Sequence, residues 1–252
     1  IVIDTVPTLF GSLIAEEASS PPPETIVTHE IANSVVNPDN KSIKSVDSLY
    51  ISSSMFRNLK AYKLSTDKCS AGVHFYPGAT AAKILQELKS DEIFKSYNPS
   101  NIKQIYILCG SNDVDNILHV PKHLRSSALH PDSYLDYDQL QLTKSKLYEL
   151  LTFLRDNFSS ASVNVINILP RCSSARNFVI NKLNEYLFSV CASDQHLNLI
   201  GTEKDRYLFT DGKGFRKNYL FHVAGGDNIH LSNEGLIKLA KLLKYLSHRI
   251  IY

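Results

Sequence analysis

The nine residues "IKQIYILCG", 102 to 110, restrict the fold more than any other stretch of the chain. A short, nearly continuous apolar run rich in Ile and closed by glycine is what a strand covered on both faces requires, and such strands belong to parallel sheets. Parallel strands cannot be joined by a tight hairpin; each needs a crossover of a dozen or more residues, commonly a helix. The flanking sequence supplies that alternation. "VDSLYISSS" (46 to 54) and "AGVHFYP" (71 to 77) read as strands, and "GATAAKILQELKS" (78 to 90) as a helix with Ala82, Leu85, Leu88 and Ile93 at helical spacing. "QLTKSKLYELLTFLRDNF" reads as a helix with Leu140, Leu147, Leu150, Leu151 and Leu154 inward. "SVNVINILP" (162 to 170) is a further strand, "ARNFVINKLNEYLFSVC" a helix, "LNLIG" a last strand, and 233 to 247 a final helix with Ser232 as its N-cap. The predicted fold is therefore α/β, a three-layer sandwich in which a central parallel sheet is flanked by helices, with right-handed crossovers.

At 252 residues, 43% of them hydrophobic and 21% charged, the chain can bury a full core without disulfides or a structural metal. Cys69, Cys109, Cys172 and Cys191 show neither CxxC nor Cys/His spacing, so no zinc site or redox pair is expected. No cofactor motif is present either. Four reduced, structural cysteines point to a reducing compartment, cytoplasm or nucleus. No apolar run approaches the roughly 18 residues of a membrane span. The opening "IVIDTVPTLFGSLIAEE" lacks an initiating Met and a basic n-region, which predicts an excised piece without a signal peptide. From 18 to about 44 three consecutive prolines interrupt a segment without apolar period, so 1–45 is expected to be an arm or linker and 46–252 the domain.

In open parallel sheets, sites form where the carboxyl ends of the strands open into loops, and three polar clusters fall there. Ser54 ends the first strand; a serine there is either a helix-capping hydroxyl or a nucleophile awaiting a base. Gly78 joins the second strand to its helix, where unpaired backbone N–H groups face outward. "CGSND" ends the strand at 110, placing the Asn112 amide at the same mouth as a second donor for an oxyanion, with Asp113 available to fix the loop by accepting backbone N–H bonds. Near the C-terminus "GGDNIHLSNEG" sets Asp227 three residues before His230, directly ahead of the last helix.

Serine, glycine, Gly-x-Asn-Asp and Asp-x-x-His in that order resemble the blocks of the SGNH (GDSL-type) hydrolase family, over roughly 46 to the C-terminus. The resemblance implies an SGNH-hydrolase-like domain of flavodoxin-like topology. It also implies Ser54 as nucleophile, His230 as general base, Asp227 orienting the imidazole, and Gly78 and Asn112 as the oxyanion hole. One departure stands out: the family's first block reads Gly-Asp-Ser, whereas here it is Ser52-Ser53-Ser54. Without the glycine's room and the Asp's tie to the backbone, Ser54 is expected to be out of place, and about 1 Å of misplacement can cost on the order of 100-fold in rate.

The net charge is only +2, so the placement of basic residues matters more than their number. Lys83 and Lys89 follow Gly78, Arg171 and Arg176 follow "NILP", and "TEKDRYLFTDGKGFRKNYLFH" brings Lys204, Arg206, Lys213, Arg216 and Lys217 together with aromatic residues. Such a loop can neutralise phosphates and stack a base. Together with the altered first block, these features are similar to those of the SGNH-like domains of insect germ-plasm organisers. That narrower resemblance implies a hydrolase-like domain without demonstrated hydrolase activity, bound to single-stranded messenger RNA and to germ-plasm proteins in cytoplasmic ribonucleoprotein granules. The sequence reading thus favours a non-catalytic RNA-binding domain, with a serine esterase using Ser54, Asp227 and His230 as the alternative.

Overall fold

The computed structural model describes residues 45–67, 69–95, 97–118, 131–201, 208–210, 216–221 and 230–249. The proline-rich segment ahead of residue 45 lies outside them. In chain order the regular elements are β1 Ser48–Ser52, α1 Ala61–Leu64, β2 Ala71–Phe75, α2 Ala81–Ser90, α3 Glu92–Lys95, β3 Gln104–Leu108 and α4 Val114–Ile117. They continue with α5 Tyr137–Asn157, β4 Ser162–Ile166, α6 Ser174–Ser193, β5 Leu197–Ile200 and α7 Asn233–Arg249. A 3-10 turn, Ser54–Phe56, follows β1, and another, Asn218–Leu220, lies upstream of α7.

The five strands form one parallel sheet in the order β2-β1-β3-β4-β5. This is the flavodoxin-like winding, in which the chain reverses its direction of travel across the sheet between β1 and β3 and leaves a crevice at their carboxyl ends. In register, Ser52 of β1 stands beside Phe75 of β2 on one side and Leu108 of β3 on the other. The loops carrying Ser54, Gly78 and Asn112 therefore leave the same edge of three adjacent strands, which lie about 4.8 Å apart.

Because side chains alternate across a strand, β1, β3 and β4 feed two cores. Leu49, Ile51, Ile105, Ile107, Val163 and Val165 pack under α2, α5 and α6, through Ile84, Leu88, Leu147, Leu150, Val179 and Leu183. On the opposite face Tyr50, Tyr106, Leu108 and Ile166 meet α7 through Leu236, Leu239 and Leu243. The Tyr50 and Tyr106 rings stack at 4.8 Å with their planes 6° apart, an aromatic pair across adjacent strands.

The expected strands and long helices are present, with trimmed ends. On α2 the buried positions are Ala81, Ile84, Leu85 and Leu88, whereas Ala82 is exposed, and Thr80 rather than Gly78 sets the start by accepting the Lys83 N–H. The inward stripe runs through 81, 84, 85 and 88, and Ala82, though three residues before Leu85, falls outside it at about 100° per residue. All four cysteines are free; Cys69, Cys109 and Cys191 are buried, and Cys172, expected to be structural, is exposed.

Candidate active site

The turn after β1 is stitched by the residue that replaces the family's glycine. Ser52 Oγ accepts the Phe56 N–H at 3.0 Å and donates to the Ser53 carbonyl at 2.9 Å. The Phe56 ring and Met55 side chain are buried beneath it, so the turn is anchored from both sides. Ser53, standing where the family's Asp would be, is buried and its hydroxyl has no hydrogen-bond partner among the described residues. No residue of the turn needs a positive φ, so the glycine's conformational freedom is not required. The Tyr76 N–H donates to the Ser52 carbonyl at 2.9 Å and ties the β2 exit to the β1 exit.

His230 is delivered by the start of α7. Ser232 Oγ accepts the Gly235 N–H at 3.2 Å as the expected cap, and Ser232 N–H donates to the Leu220 carbonyl at 2.9 Å. Gly235 permits that approach: a Cβ there would fall inside contact distance of the Leu220 carbonyl oxygen. Phe221 and Leu231 bridge in antiparallel fashion beside it. The outcome is a direct hydrogen bond between His230 Nε2 and Ser54 Oγ, 2.6 Å long, joining residues 176 positions apart, both half-buried. The displacement of Ser54 expected from the altered first block is not found: Ser54 meets His230, and the Ser52 hydroxyl ties the turn to the Phe56 N–H. Asp227 lies outside the described residues.

The two expected oxyanion donors sit on neighbouring loops. Gly78 is exposed with φ +69°, a conformation disfavoured for other residues. Asn112 Nδ2 donates to the Ala79 carbonyl at 3.0 Å, which binds the two loops together and leaves the second N–H of that amide for a ligand. Asp113 does fix the loop, accepting the Ala81 N–H at 3.0 Å across to the start of α2. Burial pushes its carboxyl up to about 6, against the lowering effect of that hydrogen bond.

A cleft of about 240 Å³ opens beside the serine, lined by Ser54, Met55, Arg57, Asn58, His230, Leu231 and Leu236. Its floor is apolar, from Met55, Leu231 and Leu236, all buried, and its rim carries the exposed Arg57 and Asn58. Sequence reasoning passed over Arg57 and Asn58, although "MFRN" directly after Ser54 was the available signal.

The basic residues expected to bind RNA are dispersed, and several are engaged internally. Arg171 is not a surface residue: at 4% exposure it pairs with Asp115 at 2.8 Å and donates to the Ser111 carbonyl and hydroxyl, clamping the loop that carries Asn112. Arg176 shares Asp115 at 2.6 Å, and both guanidinium groups hold the Asp115 carboxyl below its usual range against the opposing effect of burial. Lys83 pairs with Glu87 at 2.7 Å, and Lys89 lies 5.7 Å over the Phe153 ring. Arg216 stacks 4.7 Å over Phe221 and donates to Asn218, with Lys217 next to it. Lys204, Arg206 and Lys213 lie outside the described residues. Among the described residues no group of His, Cys, Asp and Glu side chains is placed to hold a metal ion, and no helix is long and apolar enough to cross a membrane.

No family model and no curated protein matches the sequence. Solved structures do resemble it. The lipase Lip_vut3 from a goat rumen metagenome superposes with a TM-score of 0.57 at 15% identity, covering 80% of this chain and 97% of that one. A GDSL-like lipase from Bacteroides thetaiotaomicron gives 0.54 at 14%, covering 81% and 88%. The OSK domain of Drosophila Oskar gives 0.50 at 13%, covering 82% and 91%. The chain therefore has the SGNH-hydrolase-like α/β sandwich fold. Lipases and the Oskar domain share that fold, so fold alone does not choose between catalysis and RNA binding.

Proposed function

We propose that this protein is a serine hydrolase acting on short carboxylic esters. The single observation that carries the reading is the 2.6 Å contact between His230 Nε2 and Ser54 Oγ, the nucleophile-to-base hydrogen bond that such catalysis needs before substrate arrives. In the proposed reaction Ser54 Oγ attacks the ester carbonyl carbon while its proton passes to His230 Nε2. The oxyanion is held by the Gly78 N–H and the free N–H of Asn112, and the alcohol departs with the proton from His230. Water, deprotonated by the same nitrogen, then cleaves the acyl-enzyme and frees the acid and Ser54. Asp227 would orient the imidazole. Turnover of 4-nitrophenyl acetate or butyrate should fall on the order of 1,000-fold or more in Ser54→Ala and in His230→Ala. Equal turnover by wild type and Ser54→Ala would remove the reading.

A second reading, an RNA-binding domain, rests on a different observation. Arg216 and Lys217 lie together at the turn that supports α7, and Lys241 and Lys244 are exposed along that helix. The fold likeness to the Oskar domain supports it too, with messenger RNA, germ-plasm proteins and cytoplasmic ribonucleoprotein granules as the corresponding partners and place. Affinity for single-stranded RNA would then fall with salt by roughly 0.7 log units per log unit for each phosphate contacted. Reversing charge in Arg216→Glu with Lys217→Glu should weaken binding across sequences, and unchanged affinity would remove this surface. A scaffold role and a working serine are compatible, so the two tests are independent.

A further inference from the structure

Arg57 differs from most of the cationic groups around the site. Arg171, Arg176, Lys83, Arg216 and Lys238 are each engaged by a carboxylate, an amide or a ring of their own protein. Arg57 is fixed in the backbone, its N–H donating to the Ser54 carbonyl at 3.1 Å, and its guanidinium makes no hydrogen bond or ion pair among the described residues. It lines the same cleft as Ser54 and His230, with the Asn58 amide next to it. The guanidinium is permanently charged and its planar fork matches carboxylate, phosphate or sulfate. A cation held three residues from a nucleophile, above an apolar floor and beside a neutral amide, is a recognition element for an anion.

We infer that the substrate is a short ester that itself carries an anionic group, which Arg57 binds while Met55, Leu231 and Leu236 receive the apolar part. This rests on the hydrolase reading and narrows its substrate class. The cleft's volume of about 240 Å³ lies below the roughly 300–1,000 Å³ of pockets for drug-sized ligands, which keeps the substrate short. Arg57 takes no part in bond making: the serine attack, proton transfer and departure of the alcohol proceed as above, and its contribution is to hold the ester in reach of Ser54.

The test compares two esters of similar size, 4-nitrophenyl hydrogen succinate, with a carboxylate, and 4-nitrophenyl butyrate, without one. Wild-type protein should favour the succinate ester in kcat/KM by about 10-fold, the scale of one charge-assisted hydrogen-bonded pair. In Arg57→Gln that ratio should fall toward one, mainly through KM for the succinate ester. Arg57→Lys should recover part of it, and added salt should erode it in wild type. A wild-type ratio at or below one, or a ratio that Arg57→Gln does not change, would overturn the inference while leaving the hydrolase reading in place. If neither ester is hydrolysed, calorimetric binding of the succinate ester to Ser54→Ala still decides. Binding weakened about 10-fold by adding Arg57→Gln supports the anion site; absent or unchanged binding refutes it.

Discussion

Ser52 sits where a glycine opens the first block of SGNH-type sequences, and its hydroxyl ties down the turn that carries Ser54. By accepting the Phe56 N–H and donating to the Ser53 carbonyl, it holds the turn from which Ser54 projects. Ser52→Ala leaves a buried N–H unpaired, which costs about 1–3 kcal/mol. It should therefore lower kcat on short esters on the order of 10- to 100-fold with KM little changed, and urea unfolding measured alongside separates the two effects. Asp113 gives a second test at this scale. Its carboxyl titrates near 6 in the folded protein and near 4 when unfolded, so between those values the folded state binds more protons. Stability contributed by this group is thus greatest below about pH 4 and declines as pH rises to about 6, by at most about 1.4 kcal/mol per pH unit. Asp113→Asn should flatten that part of the profile, and denaturant melts at pH 5 and 8 would show it. Ser54, Asn112 and His230 could be picked out in the sequence because each is a polar residue abutting an apolar element, and Gly78 because a glycine joins a strand to a helix there. The repair by Ser52 could not, because a hydroxyl bonding four residues ahead leaves no mark in a run of three serines.

The elements that place the site are the β1 turn, the loop after β3 and the head of α7. A continuous apolar run disclosed β3, which is buried on both faces, and apolar periodicity disclosed α5 and α7, which each bury one stripe. The ends of the strands were overextended, since Val46 and the run from Asn167 to Pro170 are apolar or neutral yet fall beyond the ladder. The burial of Arg171 was not legible, because sequence shows its charge but not its depth. With 4% exposure and bonds to Ser111 and Asp115, it joins the loops after β3 and β4. Arg171→Gln should cost about 1–3 kcal/mol, reduced from a fully buried pair because Asp115 keeps Arg176. Its kcat should fall as the Asn112 loop loosens, whereas a residue serving only as a phosphate contact would leave both thermal stability and kcat unchanged. Gly235→Ala probes the head of α7, where the added methyl meets the Leu220 carbonyl. A lowered Tm and slower reaction of Ser54 are expected together, because that contact also sets the path of the chain to His230.

Across the whole molecule, the order β2-β1-β3-β4-β5 brings three loop ends to one edge, and the segment before α7 reaches back over 176 residues to complete the pair. The sheet, its winding and the edge at which a site would form were legible, since strand-helix alternation and chain order determine them. The meeting of Ser54 with His230 and the internal engagement of Arg171 and Arg176 were not, because both depend on tertiary contacts between residues far apart in the chain. The most direct check is covalent labelling by a fluorophosphonate, with the modified peptide located by mass spectrometry in wild-type protein and in His230→Gln. Stoichiometric modification of Ser54 alone, slowed at least 100-fold in His230→Gln, is the expected result. No modification of Ser54, or modification at the same rate without His230, would show that the 2.6 Å contact does not activate the serine.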